Sequence, residues 1–253
     1  MNEIDVSDVS VAFGGVQALN HLSIAVRSKE LLGIIGPNGA GKTTLFKVLV
    51  GIVRPATGKV HFRGRDVTRL GVHARAQAGI GLGHQIVRPF RNMTPLENVA
   101  LAAGSPITRN SLTSLFRMDR RLARARAMEM LDLVGMADMA DKEVNGLPLG
   151  YLKRLEVARA LALDPKVLLL DEPLAGLNQR EADRLASTIL RINAFGLTVV
   201  LIEHNLQEVV RIAKRVLVID AGGLLAEGEP AAVMAQAAVR HAYMGTEKVA
   251  ADA

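Results

Sequence analysis

Hydrophobic and polar positions alternate in three segments near the start of the chain. The apolar positions of these segments are Val9, Val11 and Phe13, then Leu22, Ile24 and Val26, and then Val60 and Phe62. A period of two residues is typical of strands with one buried and one exposed face, and it predicts antiparallel pairing. Three later segments are apolar without a break and cover residues 167–170, 199–202 and 216–219. Such runs predict parallel strands that are buried on both faces.

The pattern becomes helical between Met93 and Ala162. One helical pattern in this part of the chain contains Leu122, Ala125, Met128, Glu129, Leu131, Asp132 and Val134. No good strand pattern interrupts it, so the sequence predicts a helical lobe. Residues 102–114 contain glycine, proline and several hydroxyl side chains, which predicts a loop within the lobe.

A glycine-rich segment lies between the apolar run Leu31–Ile35 and a helical pattern that ends at Gly51. It has the phosphate-loop spacing of Gly, four residues, Gly, Lys and then Ser or Thr. With one further threonine, its residues are Gly36, Pro37, Asn38, Gly39, Ala40, Gly41, Lys42, Thr43 and Thr44. Glycines permit positive φ, so the loop N–H groups can turn inward as an anion nest, beside the positive end of the next helix. Lys42 can reach the β- and γ-phosphates of a nucleotide, and the Thr43 hydroxyl can hold Mg²⁺.

Two adjacent carboxylates follow the apolar run at residues 167–170. Ligands of open α/β sheets bind beyond the carboxyl ends of the strands. Asp171 is therefore a candidate ligand of Mg²⁺, and Glu172 is a candidate to polarise an attacking water molecule. The alternative is a pair of solvated acids at a strand end. The phosphate loop earlier in the chain favours the catalytic interpretation.

Together these elements predict an α/β fold with an antiparallel β part and an inserted helical part. We divide the chain into a first part of the nucleotide-binding core at residues 1–92, the helical lobe at 93–162 and a second part of the core at 163–253. The first part would contain the antiparallel strands and the phosphate loop. The second would contain the two carboxylates.

Composition narrows the classes of function. The chain has 253 residues, of which 49% are hydrophobic, and it has no cysteine, which excludes disulfides and cysteine nucleophiles. The acidic start of the sequence is not typical of a signal peptide, and no apolar stretch is long enough to span a bilayer, so we expect any membrane role to be peripheral. The net charge of +6 would suit nucleic acid or an anionic membrane, but scattered solvated charge explains it equally well. Basic and aromatic residues do not interleave, so we expect no nucleic-acid partner.

The segment before the two carboxylates resembles the signature motif of ATP-binding cassette proteins, usually written LSGGQ. Its residues here are Leu147, Pro148, Leu149, Gly150 and Tyr151. Gln85 resembles the glutamine of the family's Q-loop, residues 175–178 resemble the D-loop, and His204 resembles the switch histidine. Phe13 resembles the aromatic residue that stacks on adenine. With the phosphate loop and the strand-end carboxylates, these motifs follow the family's order over nearly the whole chain.

The resemblance implies a mechanism. Two cassettes would pair head to tail, with ATP between the phosphate loop of one and the signature helix of the other. Glu172, His204 and Gln85 would be the catalytic residues, with Glu172 orienting water and His204 contacting the γ-phosphate. Thr43, Gln85 and Asp171 would hold Mg²⁺. The chemistry would be phosphoryl transfer to water, driven by positioning and charge stabilisation.

The sequence departs from the family pattern in the signature. Pro148 and Leu149 replace the usual Ser and first Gly, so a hydroxyl and a flexible backbone donor are lost, while Gly150 and the helix N-terminus remain. Asn178 stands where Asp is commoner in the D-loop. Because of these differences, the chain is expected to complete the ATP site of its partner less well than an ordinary signature would.

The proline signature, the D-loop, the Ile-Glu-His switch and the ending Ala242-Tyr243-Met244-Gly245 resemble ATP-binding subunits of branched-chain or hydrophobic amino acid uptake transporters. The long segment between Asn98 and Arg126 resembles the larger of that system's two ATPases. The resemblance implies a bacterial or archaeal importer with two membrane permeases, a second ATPase, as a heterodimer or homodimer, and a periplasmic solute-binding protein. The chain would then bind peripherally at the cytoplasmic face of the inner membrane.

Other interpretations are open. Close relatives of that branch import urea, amides or aromatic acids, and the sequence does not identify the solute. A lipopolysaccharide-export ATPase would carry an ordinary Ser-Gly-Gly signature and a shorter lobe. Soluble cassettes of translation or DNA repair usually have tandem cassettes or long coiled-coil insertions. Lys42, Asp171, Glu172 and His204 are all retained, which argues against a module that does not hydrolyse ATP.

Overall fold

The computed structural model describes residues 1–83, 89–107 and 120–243. The chain divides into two compact units. The first contains Met1–Arg75 and the residues from Thr198 onward, and the second contains Ala76–Leu197. Gln85 and Arg88 lie outside the described residues.

In chain order, the strands in the described residues are Asn2–Phe13 (β1), Val16–Arg27 (β2), Leu31–Ile35 (β3), Thr57–Phe62 (β4), Arg65–Asp66 (β5), Ile80–Gly83 (β6), Val167–Asp171 (β7), Thr198–Ile202 (β8), Arg215–Asp220 (β9) and Gly223–Gly228 (β10). The helices are Lys42–Val50 (α1), Val72–Ala78 (α2), Pro95–Ile107 (α3), Arg120–Leu133 (α4), Leu149–Ala162 (α5), Gln179–Ala194 (α6), Leu206–Ile212 (α7) and Pro230–Met234 (α8). Residues 137–139 form a 3-10 turn, and residues 237–243 are also helical.

The first unit contains an antiparallel sheet with strand order β2-β1-β4-β5. Ile4 of β1 pairs with Val26 of β2 on one side and with Phe62 of β4 on the other, and all three side chains are buried. The prediction of antiparallel strands in the early alternating segments is therefore confirmed.

The same unit contains strands β10, β9, β3 and β8 in that order. The central strand β3 is parallel to β8, with Gly33 opposite Leu201, and parallel to β9, with Ile34 opposite Leu217. The apolar side chains of β3 and β8 are buried, which explains why these sequences are apolar without alternation. The β3 strand ends directly at the phosphate loop.

In the second unit, β6 and β7 pair in parallel, with Leu82 opposite Leu169. Helices α3, α4 and α5 pack on one another, and the described residues of the helical lobe contain no strand. The predicted loop at residues 102–114 is wrong for residues 102–107, which belong to α3. Leu96, Val99 and Ala103 are buried at helical spacing, and this packing overrides the local turn signals. The rest of that segment lies outside the described residues.

Arg75 holds the end of the helix that follows the phosphate loop. Its side chain is only 1% exposed, and burial lowers its pKa. One terminal nitrogen donates to the carbonyl oxygens of Val48 and Leu49 in the last turn of α1, at 2.6 and 2.9 Å. The other guanidinium nitrogens donate to the Leu70 and Thr68 carbonyl oxygens, at 3.0 and 3.1 Å. A cation at a helix C-terminus also complements the helix dipole.

Replacing Arg75 by Met should destabilise the protein by about 3 kcal/mol or more, because four carbonyl groups would each lose a charged donor, two of them in buried hydrogen bonds. Urea unfolding would measure the change. Arg54→Met provides the matched control, since Arg54 is exposed and its hydrogen bond within the described residues is a long one, 3.4 Å to the Arg69 carbonyl oxygen. Equal stability of the two variants would show that the Arg75 network contributes nothing.

Candidate functional site

Neighbouring backbone atoms explain why two positions of the phosphate loop are occupied by glycine. Gly36 and Gly41 have φ of 153° and 104°, which favour glycine. A Cβ at Gly36 would lie 2.0 Å from the Ile219 carbonyl oxygen, and one at Gly41 would lie 2.4 Å from the Ala18 carbonyl oxygen. The loop can follow this path only because these residues have no side chain.

Lys42 lies inside the curve of the loop. It is the first residue of α1 and is 5% exposed. Its Nζ donates to the carbonyl oxygens of Gly36 at 2.6 Å and Pro37 at 2.8 Å, so the side chain folds back over the loop. A cavity of about 210 Å³ adjoins it, lined by Ala18, Asn38, Gly39, Ala40, Gly41, Lys42, Thr43, Thr44 and His204.

The chemistry of this cavity fits a chain of phosphates. Gly41, the N-cap of α1, makes no side-chain cap hydrogen bond, so amides of the first helical turn can bind an anion. Among the described residues, no group of three or more His, Cys, Asp or Glu side chains could hold a metal ion. Mg²⁺ is commonly held by one or two protein groups together with substrate phosphates. Thr43, exposed at the cavity, fits that arrangement.

His204 and Phe13 both belong to the first unit. His204 lies between β8 and α7 and lines the cavity with an exposed side chain. Phe13 ends β1 and is 51% exposed, so its side chain is accessible to a ligand. It pairs with Val16 of β2, and Ala18 of the cavity is two residues further along that strand, about 7 Å by strand geometry. The adenine-stacking role of Phe13 stays a prediction.

Tyr243 contacts the start of the phosphate loop. It lies in the last described helical turn, and its hydroxyl shares a hydrogen bond with the backbone of Gly36. Burial raises the pKa of Tyr243 to about 12 and outweighs that hydrogen bond, so the hydroxyl is neutral at physiological pH. From the sequence, this tyrosine was notable only as part of the family-like ending.

In the second unit, Asp171 is the last residue of β7, and Glu172 follows it. Both side chains are half-buried. Glu172 has φ of 49°, a left-handed conformation that costs a non-glycine residue on the order of 1–3 kcal/mol. The residue directly after the strand is thus strained and carries a carboxylate, and strained residues cluster at functional sites.

The signature segment leads into α5 of the second unit. Pro148 is the N-cap of α5 and makes no side-chain cap hydrogen bond, Leu149 begins the helix, and Leu147 precedes the cap. Gly150 is buried, and a Cβ there would lie 2.8 Å from a carboxylate oxygen of Glu181. Tyr151 stacks with the Arg154 guanidinium at 4.3 Å. A larger residue at position 150 would therefore have to displace the Glu181 side chain.

Asn178 is the N-cap of α6. Its side chain accepts a hydrogen bond from the Glu181 N–H at 3.0 Å, and the Glu181 carboxylate accepts one from the Asn178 N–H at 3.2 Å. This is a complete capping box. Asn and Asp serve equally well as N-caps, so the departure at Asn178 preserves this local role.

The structure places the phosphate loop, Phe13 and His204 in the first unit, and Asp171, Glu172 and the signature in the second. A strand that runs into a tight glycine loop, a buried loop lysine and a helix N-terminus define a P-loop nucleotide-binding protein. The antiparallel sheet, the helical part and the signature helix narrow that class to ATP-binding cassettes. The predicted fold class is confirmed, whereas the predicted part boundaries and residue roles stay predictions.

The chain belongs to the ABC transporter family, whose sequence model matches residues 19–175. It is 36% identical over 248 residues to the high-affinity branched-chain amino acid transport ATP-binding protein BraF of Pseudomonas aeruginosa, which covers 96% of this chain and 97% of the relative. It is 33% identical over 247 residues to the lipopolysaccharide export system ATP-binding protein LptB of Haemophilus influenzae, which covers 98% and 99%. A crystal structure of an ATP-binding cassette of an ABC transporter, in its ADP conformation, matches with a TM-score of 0.86 and 28% identity over 97% of this chain and 99% of that one. The chain is accordingly an ATPase of the cassette class.

Proposed function

We propose that this chain is the ATP-hydrolysing subunit of a bacterial or archaeal importer that takes up branched-chain or other hydrophobic amino acids. The observation that carries the proposal is 36% identity to BraF along almost the full length of both chains. The Pro148 signature also favours this branch over lipopolysaccharide export, although the relative from that system covers the chain equally well. Urea, amides or aromatic acids are the alternative solutes.

In the proposed mechanism, the loop amides and Lys42 bind the β- and γ-phosphates, and Phe13 stacks on adenine. Thr43, Asp171 and Gln85 would hold Mg²⁺, which when bound neutralises charge on the phosphates. Glu172 orients the attacking water and accepts its proton, while His204 and Gln85 position the γ-phosphate and that water. The chain's contribution is thus positioning and charge stabilisation.

The proposal includes partners. A second cassette would complete each ATP site with its signature, two permeases would form the membrane path, and a periplasmic solute-binding protein would deliver solute. The described residues include no helix long and apolar enough to cross a membrane. We therefore propose that the chain binds peripherally, at the cytoplasmic face of the inner membrane, through the permeases.

The direct test is ATP-driven uptake in proteoliposomes that contain this chain, its co-encoded ATPase and permeases, and the solute-binding protein. Radiolabelled leucine uptake that requires ATP and this chain would support the proposal. Uptake of urea or an aromatic acid, but not of leucine, would show that the importer transports a different solute. Lipid transfer from the membrane without any uptake would support export instead.

The segment after Gln85 offers a docking surface for a permease. Phe90 is 48% exposed, and Met93 is half-buried. The buried Asn98 fixes the Phe90 backbone, accepting from its N–H at 2.9 Å and donating to its carbonyl oxygen at 3.0 Å. The Arg159 guanidinium lies 5.5 Å from the Phe90 ring centroid. This anchoring holds an exposed aromatic ring, next to Pro89, in a fixed position where a short apolar helix of a permease can contact it.

Reversing the charges of Arg91 and Arg88 to Glu should uncouple transport while basal ATPase activity is spared, because both arginines would face acidic groups of the permease. Arg91 is exposed. The measurement is transport and ATPase rate in proteoliposomes, with Arg124→Glu on α4 as control. Intact co-purification with the permease and normal transport would place the docking site elsewhere.

Pro148 and Leu149 in the signature predict that the two ATP sites of the transporter hydrolyse ATP at different rates. Pro148 offers no hydroxyl to the γ-phosphate, and one such donor contributes roughly a hundredfold to a rate. Restoring Ser and Gly at Pro148 and Leu149 should therefore raise the hydrolysis rate at the ATP site that this chain completes by about that factor. Single-turnover hydrolysis by the assembled complex measures this gain, because it resolves the slow site from the fast one. Single Pro148→Ser and Leu149→Gly variants would separate the hydroxyl from the flexible backbone. No gain in rate would show that this branch tolerates Pro148.

A further inference from the structure

The strained backbone at Glu172 has a buried cation attached to it. Lys153 of α5 is 6% exposed, and its Nζ donates to the Glu172 carbonyl oxygen at 2.9 Å. The same carbonyl oxygen accepts the Ala175 N–H at 3.3 Å, which closes the turn after β7. The Glu172 carbonyl is therefore held from two sides, once by its own turn and once by a helix that is distant in sequence.

We propose that Lys153 is a positioning residue for the Glu172 carboxylate. The Glu172 carbonyl lies in the peptide plane that follows Cα, and ψ relates this plane to the Cα–Cβ bond, while φ of 49° relates the preceding plane to the same bond. Holding the carbonyl therefore restricts the direction in which the Glu172 side chain leaves the backbone. A left-handed non-glycine residue keeps that conformation only when its surroundings determine it. A hydrogen bond from a buried ammonium group is stronger than one from a neutral donor, so Lys153 is suited to this task.

Lys153 also lies close to the signature segment on α5. It lies three residues after Gly150, so both residues are on the same side of α5, about one turn apart. Gly150 belongs to the signature, and Lys153 holds the carbonyl of the proposed catalytic residue in the same unit. A displacement of α5 at its signature end would therefore be transmitted to the backbone of Glu172. Lys153 links the segment that senses a partner's nucleotide to the residue that orients water.

This inference rests on the proposed role of Glu172, and Lys153→Met tests it in the assembled transporter complex. Met keeps the length and apolar stem of Lys but has no donor. The expected result is a fall in kcat of about tenfold or more with KM for ATP changed less than about twofold, because Lys153 acts on hydrolysis and not on ATP binding. Lys153→Arg should recover most of the rate, since it restores a cationic donor. Lys166→Met is the matched control, because Lys166 is on the surface just before β7 and pairs with Asp164 at 3.6 Å.

A second arm uses the Glu172→Gln background. If Lys153 acts through the Glu172 carboxylate, adding Lys153→Met to Glu172→Gln should leave the residual rate unchanged, whereas independent effects would multiply. Thermal unfolding checks that each variant is folded. If Lys153→Met does not fold, Lys153→Gln is compared with Lys153→Arg, and the same split between kcat and KM is required.

The outcomes separate the inference from the proposed function. Unchanged kcat in Lys153→Met, equal changes in kcat and KM, failure of Lys153→Arg to recover the rate, or a multiplied loss in the double variant would each overturn the role of Lys153. Near-normal hydrolysis by Glu172→Gln alone would instead overturn the proposed role of Glu172. If Glu172→Gln is inactive while Lys153→Met is fully active, the proposed function stands. Only the positioning role of Lys153 is then rejected.

Discussion

Replacing Glu172 by Gln should reduce ATP hydrolysis by about 10²- to 10⁴-fold, the range by which a positioned general base accelerates a reaction. Gln has the size of Glu and can still form hydrogen bonds, but it cannot accept a proton from water. Glu172 is half-buried, and the substitution leaves the loop amides and Lys42 unchanged, so ATP binding should be unchanged. Phosphate release measures turnover, and calorimetry measures the affinity for ATP.

The variant should also accumulate the closed pair of cassettes, because ATP would be bound without being consumed. Size-exclusion chromatography with and without Mg-ATP would show this as an ATP-dependent increase in mass. Glu129→Gln is the control for loss of a carboxylate in the same unit, since Glu129 is exposed on α4. Hydrolysis near the normal rate in Glu172→Gln would move the catalytic base to another residue. Loss of ATP binding together with hydrolysis would instead point to a structural role.

The strands and the phosphate loop could be predicted because each depends on a pattern within a short stretch of sequence. The alternation at Val9 and Val11 and the unbroken apolar run at residues 199–202 distinguished the two kinds of strand, because side-chain period reports which faces are buried. The phosphate loop was predictable because strand, loop and helix are contiguous in sequence. The loop predicted from residue 102 onward was wrong for residues 102–107, because packing of Ala103 in the lobe outweighs the local preference for a turn.

Contacts between distant segments account for what the sequence could not predict. Lys153 is 19 residues from the carbonyl oxygen that it binds, and Arg75 is 27 residues from the Val48 carbonyl oxygen. In the sequence, Lys153 and Arg75 look like ordinary charged residues of a helix, and nothing distinguishes them from charged residues that face solvent. Tyr243 likewise reaches Gly36 only through the folded structure of the first unit. The residues proposed to bind the nucleotide could be named from their spacing in the sequence, but the residues that support the backbone around them could not.

Replacing Lys42 by Ala should abolish tight binding of Mg-ATP. Its ammonium group is the buried cation in the curve of the loop, and hydrogen bonds to charged groups contribute about 1.5–3 kcal/mol each. Loss of two such bonds to phosphate oxygens would weaken binding by roughly 10²- to 10⁴-fold. Calorimetric titration with Mg-ATP measures the affinity. Lys47→Ala is the matched control, because Lys47 is an exposed lysine in the last turn of the same helix.

Thermal unfolding distinguishes lost binding from lost structure in the Lys42 variant. Without Lys42, the carbonyl oxygens of Gly36 and Pro37 lose a donor, so the free protein should be modestly less stable. A ligand that binds only the folded state stabilises it by about 2.7 kcal/mol at one hundred times its Kd. Mg-ATP should therefore raise the melting temperature of the unaltered chain and of Lys47→Ala, but not that of Lys42→Ala. An equal rise in all three proteins would show that the nucleotide binds somewhere other than the phosphate loop. A flat response in all three would show that this chain alone does not bind the nucleotide.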